Sequence, residues 1–416
     1  MRVLFKNIGQ LVQIRSEKER YVSGAAMHAL PCIEDAFLLV EEGRILDFGP
    51  MEDYVPYEAD QCIDASGRVL LPAWCDSHTH IVYAGDRVDE FVDKIHGLSY
   101  EEIAARGGGI LHSAKRLARI PEDQLYEESR KRVEEVIALG TGALEIKSGY
   151  GLTLDAELKM LRVIGRLRER YSIPVVATFL AAHAIPETFA NNREGYVDQV
   201  INTWIPAVVE QGIAQYIDVF CEEGYFTAGD TARILEAGVK AGLKPKIHVN
   251  QFHAIGGVQV GVQHGALSVD HLEVMRPEDV TALKGSDTMP VALPGCSFFL
   301  GIPYTPAKDM IAEGLPLALA SDYNPGSTPS GNMNFVVAAA CVKMKMTPEA
   351  AINAATLNGA YAMGLHAEVG SITRGKWAHL LLTKPITSYR DIPYHFSTPL
   401  IEEVFVRGEG VGRQMD

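Results

Sequence analysis

The sequence has no cysteine pair at metal or redox spacing, no apolar run long enough to cross a bilayer, and no excess of positive charge. Its six cysteines, Cys32, Cys62, Cys75, Cys221, Cys296 and Cys341, are scattered. That argues against a disulfide framework and fits free thiols in a reducing compartment. Lys and Arg number 38 against 53 Asp and Glu, a net charge of -15. Such a balance disfavours nucleic acid and anionic membrane as partners and leaves a small-molecule substrate. Met1-Arg2-Val3-Leu4-Phe5-Lys6 has the character of an opening strand and not of a secretory leader, so a soluble, cytoplasmic protein is expected. Internal repeats, low-complexity runs and long linkers are absent too.

What is present is length and apolar content: 416 residues, 47% of them hydrophobic, enough for one large barrel and a satellite. Up to about Leu71 the period is that of strands. Residues 36–40 and 45–49 read as a hairpin, and 62–64 turns at Ser66-Gly67 into 69–71. Beyond Trp74 short apolar strands alternate with helical segments. Strands are expected at 68–75, 143–147, 175–179, 216–220, 246–249, 267–271, 290–293 and 317–321. Eight βα units close into a (β/α)8 TIM-type barrel, so the fold class is α/β with the barrel over 72–364. Ser99-Tyr100-Glu101-Glu102 reads as a capping box, Pro121 opens a helix that stops near Gly140, and Thr347-Pro348 opens another that runs to about Gly364. Strand period returns at 379–382 and 403–406, so residues 1–71 and 365–416 are expected to form one small, sandwich-like β-domain.

The chemistry gathers where such a barrel keeps its active site, at the carboxyl ends of the strands. In Asp76-Ser77-His78-Thr79-His80 the two histidines are one residue apart on extended backbone and point the same way, a two-nitrogen clamp for a cation. His248 ends the fifth strand, His271 the sixth and Asp322 the eighth, while Lys147 ends the second and His183 follows the third. His78, His80, His248 and Asp322 form the expected metal set, suited to zinc or iron with a position left for water. The bland readings are a satisfied core histidine for His248 and a turn cap for Asp322, beside Asn324-Pro325-Gly326. Gly107-Gly108-Gly109 offers backbone donors to an anion or simply a tight turn.

The D-x-H-T-H strand, the later single histidine, the V-D-H and S-D strands in that order, and the tail Gly370-Ser371-Ile372-Thr373-Arg374-Gly375-Lys376-Trp377-Ala378 resemble the amidohydrolase superfamily. His379 stands where that superfamily normally has aspartate. Two-metal members carry a lysine at the end of strand four, and here that end reads Asp218-Val219-Phe220-Cys221-Glu222, which favours one metal. Within the superfamily, Glu145-Ile146-Lys147-Ser148-Gly149-Tyr150-Gly151, Ala182-His183-Ala184-Ile185-Pro186, Ser268-Val269-Asp270-His271-Leu272-Glu273 and Ser321-Asp322-Tyr323-Asn324-Pro325-Gly326-Ser327 are similar to the imidazolonepropionase family, end to end.

The resemblance implies hydrolytic ring opening of 4-imidazolone-5-propanoate to N-formimidoyl-L-glutamate. It also implies substrate contacts from Arg87, Tyr150, His183, Gln251 and Ser327, and product contacts from Asn324 and Gly326. The residues themselves agree. Lactam opening needs an activated water and a stabilised oxyanion, which a bound cation supplies. Asp322 would take and return the proton, and His271 would hydrogen-bond the nucleophile or oxyanion. A planar guanidinium at Arg87 suits the propionate carboxylate. Gln251 stands where ring deaminases of the superfamily carry glutamate; an amide cannot shuttle protons and can only orient the ring. A homodimer is expected. The alternatives are another single-metal amidohydrolase acting on a different cyclic amide or amidine, or a scaffold that has lost its metal.

Overall fold

The computed structural model describes residues 1–98, 102, 106 and 108–413. The capping box expected from Ser99, and Gly107 of the glycine run, lie outside the described residues. Eight parallel strands make the barrel: β1 (Trp74–Asp76), β2 (Thr141–Lys147), β3 (Val175–Ala182), β4 (Tyr216–Cys221), β5 (Ile247–Val249), β6 (Ser268–His271), β7 (Met289–Ala292) and β8 (Ala318–Leu319). Each is buried along its whole length, as continuous apolar runs covered by helices on the outside require.

The seam between β8 and β1 is closed by the residues that carry the chemistry. Asp322 N–H donates to His78 O at 2.9 Å, and His80 N–H to Tyr323 O at 2.9 Å. Asp76 braces the seam from below, its carboxylate accepting from Ser321 N at 2.9 Å and Ser321 Oγ at 2.5 Å. Closing the barrel and presenting the H-x-H and S-D pairs to one another are therefore one structural event.

Both termini build one eight-stranded sheet, in the order 409–410, 401–406, 380–383, 69–72, 2–12, 32–41, 44–50, with 61–64 also on 2–12. The run 68–75, which looks continuous in sequence, is divided: Val69–Pro72 joins the terminal sheet and Trp74–Asp76 the barrel. Ala73 N–H still bonds His379 O, while Trp74 N–H turns to Gly140 O. Residues 61–64 and 69–72 are not hairpin partners either. Both pair in parallel with 2–12, one after the other along the same edge, so Ser66-Gly67 makes an offset and not a reversal. Phe5 and Phe405 meet edge to face at 4.9 Å. Their strands are three places apart, about 14 Å in a flat sheet, so strong coiling brings the two ends of the chain together.

His379, buried in this region, accepts Arg407 N–H at Nδ1 (3.4 Å), and its Nε2 has no partner among the described residues. Burial pushes its pKa down to about 3 from 6.5. The unfolded chain therefore binds the extra proton between those values, so the stability present above pH 6.5 is lost as pH falls towards 3. We expect urea midpoints to fall on acidification, with His379 contributing a slope of at most about 1.4 kcal/mol per pH unit. The His379→Asn variant should show a shallower dependence over that window, and an unchanged one would discount this histidine.

Candidate active site

Every residue singled out from the sequence as a substrate or product contact, namely Arg87, Tyr150, His183, Gln251, Asn324, Gly326 and Ser327, lines one cavity at the carboxyl ends of the strands, beside His80, His248, His271 and Asp322. His78 lies beneath it, fully buried. Nε2 of His80 is 3.3 Å from Nε2 of both His78 and His248. Oδ1 of Asp322 is 3.5 Å and 3.7 Å from Nε2 of His78 and His80.

Ligand atoms held 2.0–2.1 Å from one tetrahedral ion stand about 3.3 Å apart. The four side chains thus suit a single divalent cation. Buried ring nitrogens facing one another without a proton for each pair need such a positive centre. Burial first, then the nearby Lys147 for His78 and His183 for His80, holds both rings well below the usual histidine pKa, in the neutral form that ligates. His78 Nδ1 donates to Asp270 Oδ2 at 2.7 Å, which turns its Nε2 lone pair towards the cluster. His248 Nδ1 lies 3.0 Å from Asp218 Oδ2 without an aligned hydrogen bond, so there the carboxylate acts as a neighbouring charge.

His271 and Asp322 carry positive φ, 88° and 57°, in the left-handed region that residues with a side chain rarely adopt. Strained backbone at two strand ends aims both side chains inward. His271 Nδ1 is 3.3 Å from Glu273 Oε1. Burial opposes charge on the ring, but the Glu273 carboxylate outweighs it and raises the His271 pKa. Burial raises the Asp322 carboxyl above its ordinary value, His271 and His248 opposing it.

Arg87 is buried, its Nε donating to Ser113 Oγ at 3.0 Å, while Nη2 has no partner among the described residues. A buried guanidinium nitrogen without a partner suits an anionic ligand. Any side chain at Gly326 would collide with this guanidinium, the physical reason for glycine there. The Asn324 amide is engaged within its own loop: Nδ2 donates to Asp322 O and Ser327 Oγ at 2.7 Å, and Oδ1 accepts from Gly326 N and Ser327 N at 2.8 Å. It shapes the loop that Ser327 ties to Asp322 Oδ2 at 3.1 Å.

Residues 224–411 match the amidohydrolase family model. The chain is 62% identical over 98% of its length to the whole of a Flavobacterium johnsoniae protein named imidazolonepropionase. The chain belongs to the imidazolonepropionase family. Its fold is also that of E. coli guanine deaminase (TM-score 0.74, 13% identity, 99% of each chain covered) and of a zinc-bound adenosine deaminase from Xanthomonas campestris (TM-score 0.69, 15% identity, 98% and 92% covered).

In this imidazolonepropionase-family chain the metal-type cluster stands on a buried ionic layer that sequence reasoning misses. Lys147 Nζ is 2.8 Å from Glu145 Oε1, 2.8 Å from Asp218 Oδ2 and 3.3 Å from Asp270 Oδ2, and Lys246 pairs with Glu145. Burial works against charge on Lys147, yet the three carboxylates hold its pKa above the ordinary lysine value. A charged residue at alternate positions of an otherwise apolar strand, as in Glu145-Ile146-Lys147, is the available signal. Two further buried acids shape the loops. Glu157 accepts from Gly149, Gly151 and Leu152 N–H groups at 2.7–3.1 Å and so presents Tyr150. Glu222 accepts from Phe252 and His253 N–H groups at 2.9 and 3.2 Å and so fixes the backbone beside Gln251.

Proposed function

We infer that this protein is an imidazolonepropionase that hydrolyses 4-imidazolone-5-propanoate to N-formimidoyl-L-glutamate in histidine degradation. The observation that carries this reading is the 62% identity, end to end, with a protein named for that reaction. His78, His80, His248 and Asp322 would hold one divalent ion, zinc or iron, which when bound supplies Lewis acidity and a water of pKa about 7. Asp322 takes the proton of the attacking water and delivers it to the ring nitrogen as the lactam C–N bond breaks. His271, held by Glu273, hydrogen-bonds the nucleophile or the developing oxyanion. Arg87 pairs with the propionate, and Tyr150, His183, Gln251 and Ser327 contact the ring, with Asn324 and Gly326 shaping the loop that meets the product. Gln251 is neither an acid nor a base at neutral pH, so proton traffic runs through Asp322.

Supplying 4-imidazolone-5-propanoate to the metal-loaded protein should yield N-formimidoyl-L-glutamate. A rate no better than buffer would refute the reading. Arg87→Met should raise KM by roughly tenfold or more with a smaller change in kcat, because the lost contact binds ground and transition states alike. Steady-state kinetics decide it, and a loss confined to kcat would remove Arg87 from the binding role.

A further inference from the structure

The sequence marks no candidate residue at the end of β7. The structure places a thiol there, among the groups that face the substrate. Cys296 lies in the first turn of the helix Pro294–Leu300 and is fully buried. Gln251 Nε2 donates to its Sγ at 3.3 Å. Sγ, a carboxylate oxygen of Glu273 and a ring nitrogen of His271 lie within 4.8 Å of one another. The helix start is pressed against the loop that follows β8: a Cβ on Gly295 would come to 2.8 Å from Thr328 Cγ2, so the thiol cannot easily shift.

A glutamine side chain ends in one acceptor and one double donor, and which end faces the cavity decides what it can recognise. The backbone beside Gln251 is already held by Glu222. What remains is the freedom of the side chain itself, including rotation of its amide. With its nitrogen on the sulfur, Oε1 is the end left for the cavity that Gln251 lines.

We propose that Cys296 is a positioning residue, holding the Gln251 amide so that Oε1 faces the substrate and selects a ring N–H donor at that point. The proposal rests on the reading of Gln251 as a substrate contact in lactam hydrolysis. It also explains how glutamine serves here: a neutral acceptor of fixed orientation recognises an N–H without moving a proton.

The test compares four proteins, each with its metal content measured, on 4-imidazolone-5-propanoate: wild type, Cys296→Ala, Gln251→Glu and the double variant. Cys296→Ala should lower kcat/KM roughly five- to tenfold, mainly through KM, the size of one lost neutral hydrogen bond. Cys296→Ser, whose hydroxyl also accepts, should return it to within about twofold of wild type. In the Gln251→Glu background both oxygens accept and no orientation is needed, so Cys296→Ala should there cost less than about twofold. If the alanine variant does not fold, Cys296→Val fills the space without an acceptor and takes its place in the cycle. Equal losses in both backgrounds would mean packing alone and overturn the proposal. So would wild-type kinetics in the alanine variant, or no rescue by serine. A wild-type enzyme that produces no N-formimidoyl-L-glutamate would overturn the functional reading itself, whereas an active wild type with an indifferent Cys296 overturns this inference only.

Discussion

Asp322→Asn should lower turnover roughly a thousandfold while leaving the fold intact, the range expected when a positioned proton carrier is removed. The replacement has the same size and can still accept from Ser327 Oγ, which stands 3.1 Å from Oδ2. The backbone bond from Asp322 N to His78 O, part of the barrel seam, does not involve the side chain. What disappears is the negative charge beside the imidazoles of His78 and His80, which stand 3.5 and 3.7 Å from it, and the base for the attacking water. Gln251 cannot take over, because a neutral amide neither takes up nor releases a proton at neutral pH. His271 remains, but its Nδ1 is engaged with Glu273. The decisive measurement is kcat together with metal content on the same sample. Activity within tenfold of wild type at full metal loading would discard Asp322 as the proton carrier. Loss of metal along with activity would restrict its role to ligation.

Lys147→Met should destabilise the protein by about 3–5 kcal/mol, the cost of breaking a buried ion pair by removing one partner. Methionine fills nearly the same volume, so packing is not the main loss. The single ammonium lies within 3.3 Å of three carboxylates from three strands, all fully buried or nearly so. Without it, Asp218 and Asp270 lose their shared counter-charge, and Glu145 keeps Lys246 as its counter-charge and the Thr178 hydroxyl as a donor. The damage reaches the metal-type centre, because Asp270 and Asp218 stand behind His78 Nδ1 and His248 Nδ1. Urea denaturation should show the fall in midpoint, and metal retained after dialysis should drop in the same variant. A midpoint shift worth less than about 1 kcal/mol would show that the layer is not held by Lys147.

Much of this architecture is legible in the order of the residues. The change of period at Trp74 and the eight apolar strands that follow are enough for a (β/α)8 barrel, because strand and helix spacing are local properties of the chain. Histidines and acids at strand ends also mark the cavity, since a parallel barrel turns all its carboxyl ends to one face. Pairing between distant segments is not legible in the same way. The run 68–75 carries one uninterrupted strand pattern, and only the competing partners Thr383 and His379 on one side and Gly140 on the other divide it. The parallel pairing of 61–64 and 69–72 with 2–12 is hidden because Ser66-Gly67 looks the same whether the chain reverses or merely steps aside.

The amino-acid sequence alone determined the barrel, the order of its strands and the residue types at its mouth, because periodicity and side-chain chemistry travel with the chain. Only the tertiary structure decided which atoms meet: His80 Nε2 against the Nε2 atoms of His78 and His248, Asp322 Oδ1 beside His78 and His80, Lys147 shared among three carboxylates, and Cys296 against Gln251. Apart from His78–His80 and Glu145–Lys147, such contacts join residues tens to hundreds of positions apart, and their distances depend on barrel closure and on backbone forced into left-handed conformations at His271 and Asp322.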